Sequence, residues 1–333
     1  MEKWLDLAQT TSLNKWANST TLRYESKWKW WISFCEKHRV PSIITQPEQA
    51  KLVGIAYSSY LYHSQKKHYG VIVQCRAAVT RVYILNHLPS PFRSGPLGIA
   101  LMAAIKKARP SPKKKEAITK EELIKVIKWV KLESKWKDAD HIILAFLLGW
   151  CCLMRVSEYS IPSYNQEREW LEGPRGMGWS NITISTKDCF GDINIKMRKN
   201  DQSQRGHKVR IHSTNEFGQN NNPYLLLKSL VRSSKEKLRP TLLMECNMNG
   251  GGIRPLRADT VRERLATACE ATGIRRDTMS TTSLRSGGVS YLLSHGWSGV
   301  EVAVLGGWSS LAYEAYIQRS AVLNKMMNRL NVK

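Results

Sequence analysis

A stretch of basic residues and prolines divides this chain into two parts. Residues 106–115 read KKARPSPKKK, with six basic side chains and two prolines in ten positions. Proline disfavours a helix and like charges repel each other, so the sequence predicts an extended linker at residues 109–117. Because 333 residues exceed one typical domain, we expect a first domain at residues 1–108 and a second at residues 118–333.

The first domain is predicted to be helical. Tyr24, Trp28, Trp31 and Cys35 recur at steps of four, three and four, which places them on one helix face. These tryptophans and Trp30 offer rings that could stack on nucleic-acid bases, but aromatic residues at helical spacing more often pack in a core. The core interpretation is favoured. Further helices are predicted at residues 47–65 and 70–85, with a loop at residues 88–96.

The second domain is predicted to be helical at both ends, with a small antiparallel sheet between them. Thr119 and Glu122 form a capping box that starts its first helix. The 13-residue apolar run Ile142–Met154 predicts a buried helix, too short to cross a bilayer. Apolar alternation predicts strands around residues 182–184, 193–197 and 209–211, with turns at 188–192 and 200–206. Later helices are predicted at residues 224–238, 258–272, 283–294, 300–305 and 311–330. The expected fold class is mainly α with a small antiparallel β-sheet.

The charge of the chain indicates a polyanionic partner. Lys and Arg number 51 against 27 Asp and Glu, a formal net charge of +24. A surplus of this size repels itself in the compact state, and nucleic acid is the partner that neutralises it best. The plainer alternative is a basic protein without such a partner. We expect DNA contacts from Lys106, Lys107, Arg109, Lys113, Lys114 and Lys115 in and beside the linker, although a charge run is often only solvated.

The cysteines and histidines give no sign of a metal or cofactor site. Seven cysteines include no CxxC pair, and the eight histidines include no pair with metal-ligand spacing. No P-loop or GxGxxG motif occurs, and no secretory signal opens the sequence. We therefore expect reduced thiols, no metal, no cofactor, no membrane, and an intracellular location with DNA, either the nucleus or a prokaryotic cytoplasm.

Five short motifs resemble those of the tyrosine recombinase/integrase family and follow one another in the family's order. The family pattern is His-x-x-Arg, then His or Trp after a Gly-rich turn, then Tyr eight or nine residues later. Here the matching segments are TTSLRSGG at residues 281–288, LGGWSS at 305–310 and Tyr316-Ile317. Earlier, residues 149–158 and 198–202 resemble the motifs that carry a catalytic arginine and a catalytic lysine. Together the motifs and the domain layout span most of the chain.

The resemblance implies a two-domain clamp around DNA, with a helical core-binding domain and an α+β catalytic domain. It also implies a catalytic set of Arg155, Lys199, Arg285, Trp308 and Tyr316. Tyr316 would attack the phosphate to give a 3′-phosphotyrosine, and the arginines would bind the phosphate oxygens. Lys199 would act as general acid, and Trp308 would donate its indole N–H.

Several positions in this catalytic set have competitors. Tyr313 follows Trp308 by five residues and Tyr316 follows it by eight, and Tyr316 is favoured by its motif position. Trp308 has the alternative interpretation of a plain core tryptophan. The lysines Lys187, Lys196 and Lys208 share the predicted sheet with Lys199.

One residue departs from the family pattern. Thr282 stands where the family has its motif histidine, and threonine donates a hydrogen bond but does not shuttle a proton near neutral pH. Three functions stay open. The favoured one is a site-specific recombinase that acts as a homotetramer on two double-stranded DNA sites. The others are a non-catalytic DNA-binding protein derived from a recombinase and a type IB topoisomerase-like enzyme. The residues after Tyr316, 317–333, favour the first because they could dock on a neighbouring subunit.

Overall fold

The chain divides into two compact units, Met1–Pro112 and Lys113–Lys333, and each is described by itself. The division falls inside the segment predicted as a linker. The structure, a computed structural model, describes residues 18–93, 95–108, 115–134, 136–161, 177–196, 206–237, 239, 241–246, 252–308, 311 and 314.

The described part of the first unit is helical, as predicted. It contains α1 (Asn18–Lys37), α2 (Pro47–His63), α3 (Tyr69–Leu85) and α4 (Pro96–Lys107). Pro47 and Pro96 stand at the first helical positions of α2 and α4, where the missing N–H of proline costs nothing. The loop therefore ends one residue before its predicted end, because Pro96 already belongs to a helix.

The aromatic residues of α1 form the core of the first unit. Trp31 is fully buried, with its ring 5.0 Å from that of Tyr57 in an edge contact. Its indole N–H donates to the carbonyl of Ser42 at 2.8 Å, so burial leaves this donor satisfied. Trp30 is partly buried, and the Lys27 ammonium lies 3.5 Å from its ring centre. The preference for core packing over base stacking is confirmed for Trp31.

The second unit combines helices with two small antiparallel sheets, which confirms the expected fold class. Its helices are α5 (Lys120–Leu132), α6 (Ala139–Cys151), α7 (Val156–Tyr159), α8 (Pro223–Glu236), α9 (Ala258–Ala271), α10 (Thr281–Ser294) and α11 (Gly299–Gly306). The first sheet has the order β1 (Ile182–Ser185), β2 (Phe190–Ile195) and β3 (His207–His212), and β4 (Met244–Cys246) pairs with β5 (Ile253–Pro255). In the ranges that the structure describes, no helix is long and apolar enough to span a bilayer.

Most local predictions for the second unit are confirmed, and the exceptions are one turn, two short strands and the end of α6. The capping box is present, since the backbone N–H of Glu122 donates to Thr119 Oγ1 at 3.1 Å and Glu122 Oε2 accepts from the Thr119 N–H at 2.8 Å. The predicted turn at 188–192 is wrong, because Gly191 and Asp192 already pair with β1 and the turn occupies residues 186–189. The strands β4 and β5 were not predicted, since three residues each are too few to show alternation. Of the predicted helix at 311–330, all but residues 311 and 314 lie outside the described residues.

The apolar helix α6 is the centre of the second unit. Its residues Ile142 to Trp150 are all buried, but the helix ends at Cys151, three residues before the apolar run does. Leu153 has a left-handed backbone (φ 51°), and the N–H of Met154 returns to the carbonyl of Leu148 at 3.2 Å. Glycine usually occupies such a position at a helix end. A leucine in this conformation carries a steric cost. The Leu153 side chain is fully buried, and its burial offsets that cost.

Helix α10 packs against α6 at backbone distance. A Cβ atom on Gly288 would lie 2.0 Å from the carbonyl oxygen of Trp150, and one on Gly287 would lie 2.1 Å from that of Ile118. No other residue type fits at these positions without movement of the backbone. Gly288 therefore fixes the separation of α10 from α6, and Gly287 fixes the separation of α10 from Ile118, just before α5.

We expect Gly288→Ala to lower the free energy of unfolding of the second unit by about 1–3 kcal/mol or more, since overpacking forces the backbones apart. Thermal unfolding followed by circular dichroism measures the change. Gly70→Ala in α3 is the matched control, because no atom lies within 4 Å of a Cβ there. The control should be neutral or slightly stabilising, as alanine is the better helix former. A Gly288→Ala protein as stable as the parent would contradict the close approach.

Candidate active site

Arg285 is a buried cation held by a helix end and an aromatic ring. It lies in the second turn of α10 with 2% of its surface exposed. Its Nη2 donates to the carbonyl of Gly306 at 2.8 Å, and its guanidinium carbon lies 4.0 Å from the ring centre of Trp308. Helix carbonyls at a C-terminus carry partial negative charge and aromatic faces attract cations, so both contacts stabilise the buried charge.

Trp308 closes the same helix end. The left-handed Gly307 (φ 63°) ends α11, and the backbone N–H of Trp308 returns to the carbonyl of Ala303 at 2.9 Å. The ring packs so closely over Gly306 that a Cβ atom there would lie 1.8 Å from it. Trp308 is 7% exposed and belongs to a small apolar cluster with Leu153, Val289 and Val302. It is thus a core residue and the partner of Arg285 at once.

Arg155 is the N-cap residue of α7 and forms an ion pair with Glu158, the third residue of that helix. Its Nη1 lies 3.1 Å from Glu158 Oε1, and its backbone N–H donates to Glu158 Oε2 at 2.9 Å. The Glu158 side chain is buried, while that of Arg155 remains 21% exposed. This pairing fixes the stem of Arg155 at the start of α7.

The elements that carry the two arginines pack directly on each other. Leu153 lies two residues before Arg155, and Gly288 lies one helical turn after Arg285. The two residues are in close contact, since a Cβ atom added to Gly288 would lie 2.7 Å from the Leu153 side chain. The sequence separates the arginines by 130 positions, and the contact of α6 with α10 brings their elements together.

Thr282 is exposed and precedes Arg285 by three residues, so the two side chains lie on the same side of α10. Its neighbour Ser283 is buried and accepts a hydrogen bond from the Ser280 N–H at 3.0 Å. The first turn of α10 is therefore capped by Ser283, and Thr282 is exposed one turn before Arg285.

Two members of the expected catalytic set, Lys199 and Tyr316, lie outside the described residues, as do the competing Tyr313 and the linker residues Arg109, Lys113 and Lys114. The strands that flank Lys199 are described, because β2 ends at Ile195 and β3 begins at His207. Among the competing lysines, Lys208 lies 3.8 Å from Asp192, so its ammonium has a partner on the sheet.

The described residues expected to contact DNA have local roles as well. Lys106 and Lys107 are exposed in the last turn of α4, where the helix dipole favours positively charged side chains. The Lys115 ammonium donates to the carbonyl of Asp277 at 2.6 Å, which uses one of its three hydrogens. The ammonium groups of all three lysines remain able to bind a polyanion.

Tyr159, the tyrosine nearest to Arg155 in sequence, is not suited to nucleophilic attack. It is almost fully buried, and burial and then the charge of Glu158 raise the pKa of its phenol well above the usual value. A raised pKa disfavours the phenolate that attacks a phosphorus atom. In the same part of the chain, burial also raises the pKa of Tyr224 and Tyr291.

Sequence reasoning did not assign His207 to the site, although the structure places its ring there. The His207 Nε2 lies 3.2 Å from the carbonyl oxygen of Leu305, next to the Gly306 carbonyl that Arg285 holds. A signal exists in the strand pattern, because His207 shares one face of β3 with the buried Val209 and Ile211. A polar residue that continues an apolar face indicates a specific partner.

The fold is similar to that of several solved integrases and recombinases. The Tn1549 transposon integrase in complex with circular intermediate DNA aligns with a TM-score of 0.58 at 14% identity, covering 97% of each chain. A lambda integrase dimer bound to a COC′ core site aligns with a TM-score of 0.56 at 16% identity, covering 96% of this chain and 95% of that chain. The XerH site-specific recombinase bound to its palindromic difH substrate aligns with a TM-score of 0.52 at 15% identity, covering 80% of this chain and 66% of that chain. No protein-family model and no curated protein matches the sequence. The chain thus has the fold of these enzymes.

We expect Arg285→Lys to lower the free energy of unfolding of the second unit by about 1.5–3 kcal/mol, the value of a hydrogen bond to a charged group. A lysine ammonium lacks the planar fork that both reaches the Gly306 carbonyl and covers the Trp308 ring. Arg232→Lys is the control, since that side chain is 78% exposed and its change should stay within about 0.5 kcal/mol. Equal unfolding temperatures for both variants, measured by calorimetry, would argue against a structural role of the Arg285 contacts.

Proposed function

We propose that this chain is a tyrosine recombinase, which cleaves and rejoins double-stranded DNA at specific sites through a 3′-phosphotyrosine on Tyr316. The observation that carries the proposal is the buried Arg285, held by the Gly306 carbonyl and stacked on Trp308. A cation of this kind is maintained at a cost in desolvation, which is expected where a protein binds a phosphate. The fold shared with DNA-bound integrases supports the same conclusion.

The proposed reaction is an in-line displacement at phosphorus. The Tyr316 hydroxyl loses its proton to solvent as its oxygen attacks phosphorus, the bond from phosphorus to the 5′-oxygen breaks, and the 5′-oxygen takes up a proton and leaves as a hydroxyl. Arg155 and Arg285 bind the non-bridging oxygens, where permanent charge and paired donors stabilise the crowded phosphorane. Lys199 supplies the proton to the departing 5′-oxygen. Because the phosphotyrosine retains the energy of the original ester, the reverse attack reseals the strand without ATP.

The charge of the chain and its fold support DNA as the substrate. A net charge of +24 favours a polyanion, and the lambda integrase and XerH neighbours are both complexes with DNA sites. Exchange of strands between two duplexes requires one active tyrosine for each of four cleaved strands. We therefore propose a homotetramer that acts on two DNA sites, in the nucleus or in a prokaryotic cytoplasm.

Thr282 supports a second candidate function, a DNA-binding protein that has lost strand exchange. Its hydroxyl can donate one hydrogen bond to a phosphate oxygen, but it does not titrate near neutral pH as a histidine does. The two candidates differ in one observable. Only the recombinase forms a covalent adduct with DNA that it binds.

We expect Tyr316→Phe to abolish the covalent adduct while DNA binding stays within about twofold, because one hydroxyl is removed from a largely electrostatic interface. The assay uses a nicked suicide substrate and a denaturing gel. Tyr313→Phe is the matched control and should keep the adduct. An adduct that survives in Tyr316→Phe and disappears in Tyr313→Phe would transfer the nucleophile to Tyr313. A parent protein that binds DNA and forms no adduct would favour the second candidate.

We expect DNA affinity to fall steeply as salt concentration rises, because each neutralised phosphate releases counterions. Replacing Lys113, Lys114 and Lys115 by alanine should make the plot of log K against log salt less steep by up to about three units, one for each phosphate that is no longer neutralised. Fluorescence anisotropy at several salt concentrations measures the slope. A parent protein whose affinity does not change with salt would contradict the DNA interpretation as a whole.

A further inference from the structure

The last four carbonyl groups of α11 all have hydrogen-bond partners. Carbonyls in the last turn of a helix lack partners within the helix itself. The backbone N–H groups of Gly307 and Trp308 return to the first two of the four. The last two carbonyls, those of Leu305 and Gly306, instead receive side chains from β3 and α10. The end of this helix is therefore held by two other elements as well as by its own backbone.

The two side chains are those of His207 and Arg285. Nε2 of His207 lies 3.2 Å from the Leu305 oxygen, and Nη2 of Arg285 donates to the Gly306 oxygen at 2.8 Å. A carbonyl oxygen only accepts hydrogen bonds, so the first contact requires a proton on Nε2 of His207. Strand β3 is itself anchored, because alternate residues of it are buried in the core of the second unit. The imidazole thus attaches the end of α11 to the sheet.

The two carbonyls compete for the guanidinium of Arg285. They belong to consecutive residues, and a buried acceptor that loses its donor costs free energy, so it attracts any donor within reach. Because His207 occupies the Leu305 carbonyl, the guanidinium stays on Gly306 with its carbon 4.0 Å from the ring centre of Trp308. Without that imidazole, a turn of the guanidinium toward Leu305 becomes favourable and changes the direction of its donors.

We propose that His207 is a positioning residue for Arg285. This inference rests on the proposed function, in which Arg285 binds the phosphate. By donating to the Leu305 carbonyl, His207 fixes the end of α11 and sets the orientation of the guanidinium before DNA binds. Charge that is oriented in advance stabilises a transition state most, and a misplacement of about 1 Å costs about a hundredfold in rate.

The charge of the phosphate separates this role from a general contribution to folding. Arg285 acts on the negative charge of the non-bridging oxygens. A methylphosphonate at the cleaved position replaces one of these oxygens by a methyl group and removes that charge, so a correctly oriented guanidinium has less to stabilise. A defect in the orientation of Arg285 therefore shrinks on this substrate. A loss of folded protein slows cleavage of both substrates equally.

The experiment measures single-turnover cleavage of suicide substrates by the full chain, with an ordinary phosphate or with either methylphosphonate stereoisomer. His207→Gln and His207→Asn form a matched pair of amides. The glutamine amide reaches the position of Nε2 and can donate to the Leu305 carbonyl, whereas the asparagine amide is one methylene shorter and ends near the position of Nδ1. His212→Asn, on the exposed face of the same strand, is the control.

On the ordinary substrate, we expect His207→Asn to cleave about 10- to 100-fold more slowly than the parent, with DNA binding within about twofold. We expect His207→Gln to stay within about threefold of the parent because it restores the donor, and His212→Asn to do so because it leaves the donor in place. On at least one methylphosphonate isomer, His207→Asn should cleave within about threefold of the parent on that isomer. His207→Phe keeps a ring and lacks the donor, so it gives the same test if the asparagine variant does not fold.

A double variant gives a second measure on the ordinary substrate. His207→Asn combined with Arg285→Lys should cleave within about threefold of Arg285→Lys alone, because both changes remove the same orientation of one side chain. Defects that multiply would overturn the inference, as would a defect that glutamine does not rescue or that is equal on all substrates. Full activity of His207→Asn on the ordinary substrate would overturn it and leave the proposed function intact. A parent protein that binds DNA and forms no adduct would remove the proposed function, and this inference with it.

Discussion

The close approach of α10 to α6 at Gly288, and to the backbone of Ile118 at Gly287, holds the candidate site together. With helix backbones this near, Arg285 lies inside the second unit rather than at its surface. A buried guanidinium loses its hydration, and the protein replaces that hydration with the Gly306 carbonyl and the Trp308 face. The packing of two glycines, the end of α11 and the position of Trp308 are therefore parts of one arrangement.

The same arrangement is suited to phosphate chemistry because its charge is already in place before a substrate arrives. Groups that are fixed before the reaction need no reorganisation as charge develops on the phosphorane oxygens. Arg285 is fixed by α11, and Arg155 is fixed by its pair with Glu158 at the start of α7. In the proposed reaction, Thr282 would add at most one hydroxyl donor, so the stabilisation of charge would depend mainly on Arg155 and Arg285.

Local structure in this chain could be predicted from the sequence wherever a short pattern determines it. The capping box of Thr119, the three alternating strands and the helix around Arg285 depend on neighbours within a few residues. The short strands β4 and β5 could not be predicted because three residues are too few to show the two-residue alternation of a strand. The early end of α6 escaped because nothing in the apolar run marks Leu153 as a left-handed residue. The contacts of side chains with the Gly306 and Leu305 carbonyls could not be predicted for another reason. Every residue has a backbone carbonyl, so the sequence does not indicate which carbonyl accepts a hydrogen bond from a side chain.

The proposed chemistry requires that Arg155 and Arg285 bind one phosphate, and a structure of the protein bound to a DNA duplex containing its site tests this requirement. The distances to measure are those from both guanidinium groups to the non-bridging oxygens of the phosphate nearest to Tyr316. We predict that both groups lie within about 2.7–3.2 Å of oxygens on that one phosphate. Guanidinium groups that contact different phosphates, or that point to opposite faces of the second unit, would show that the two arginines do not share a site.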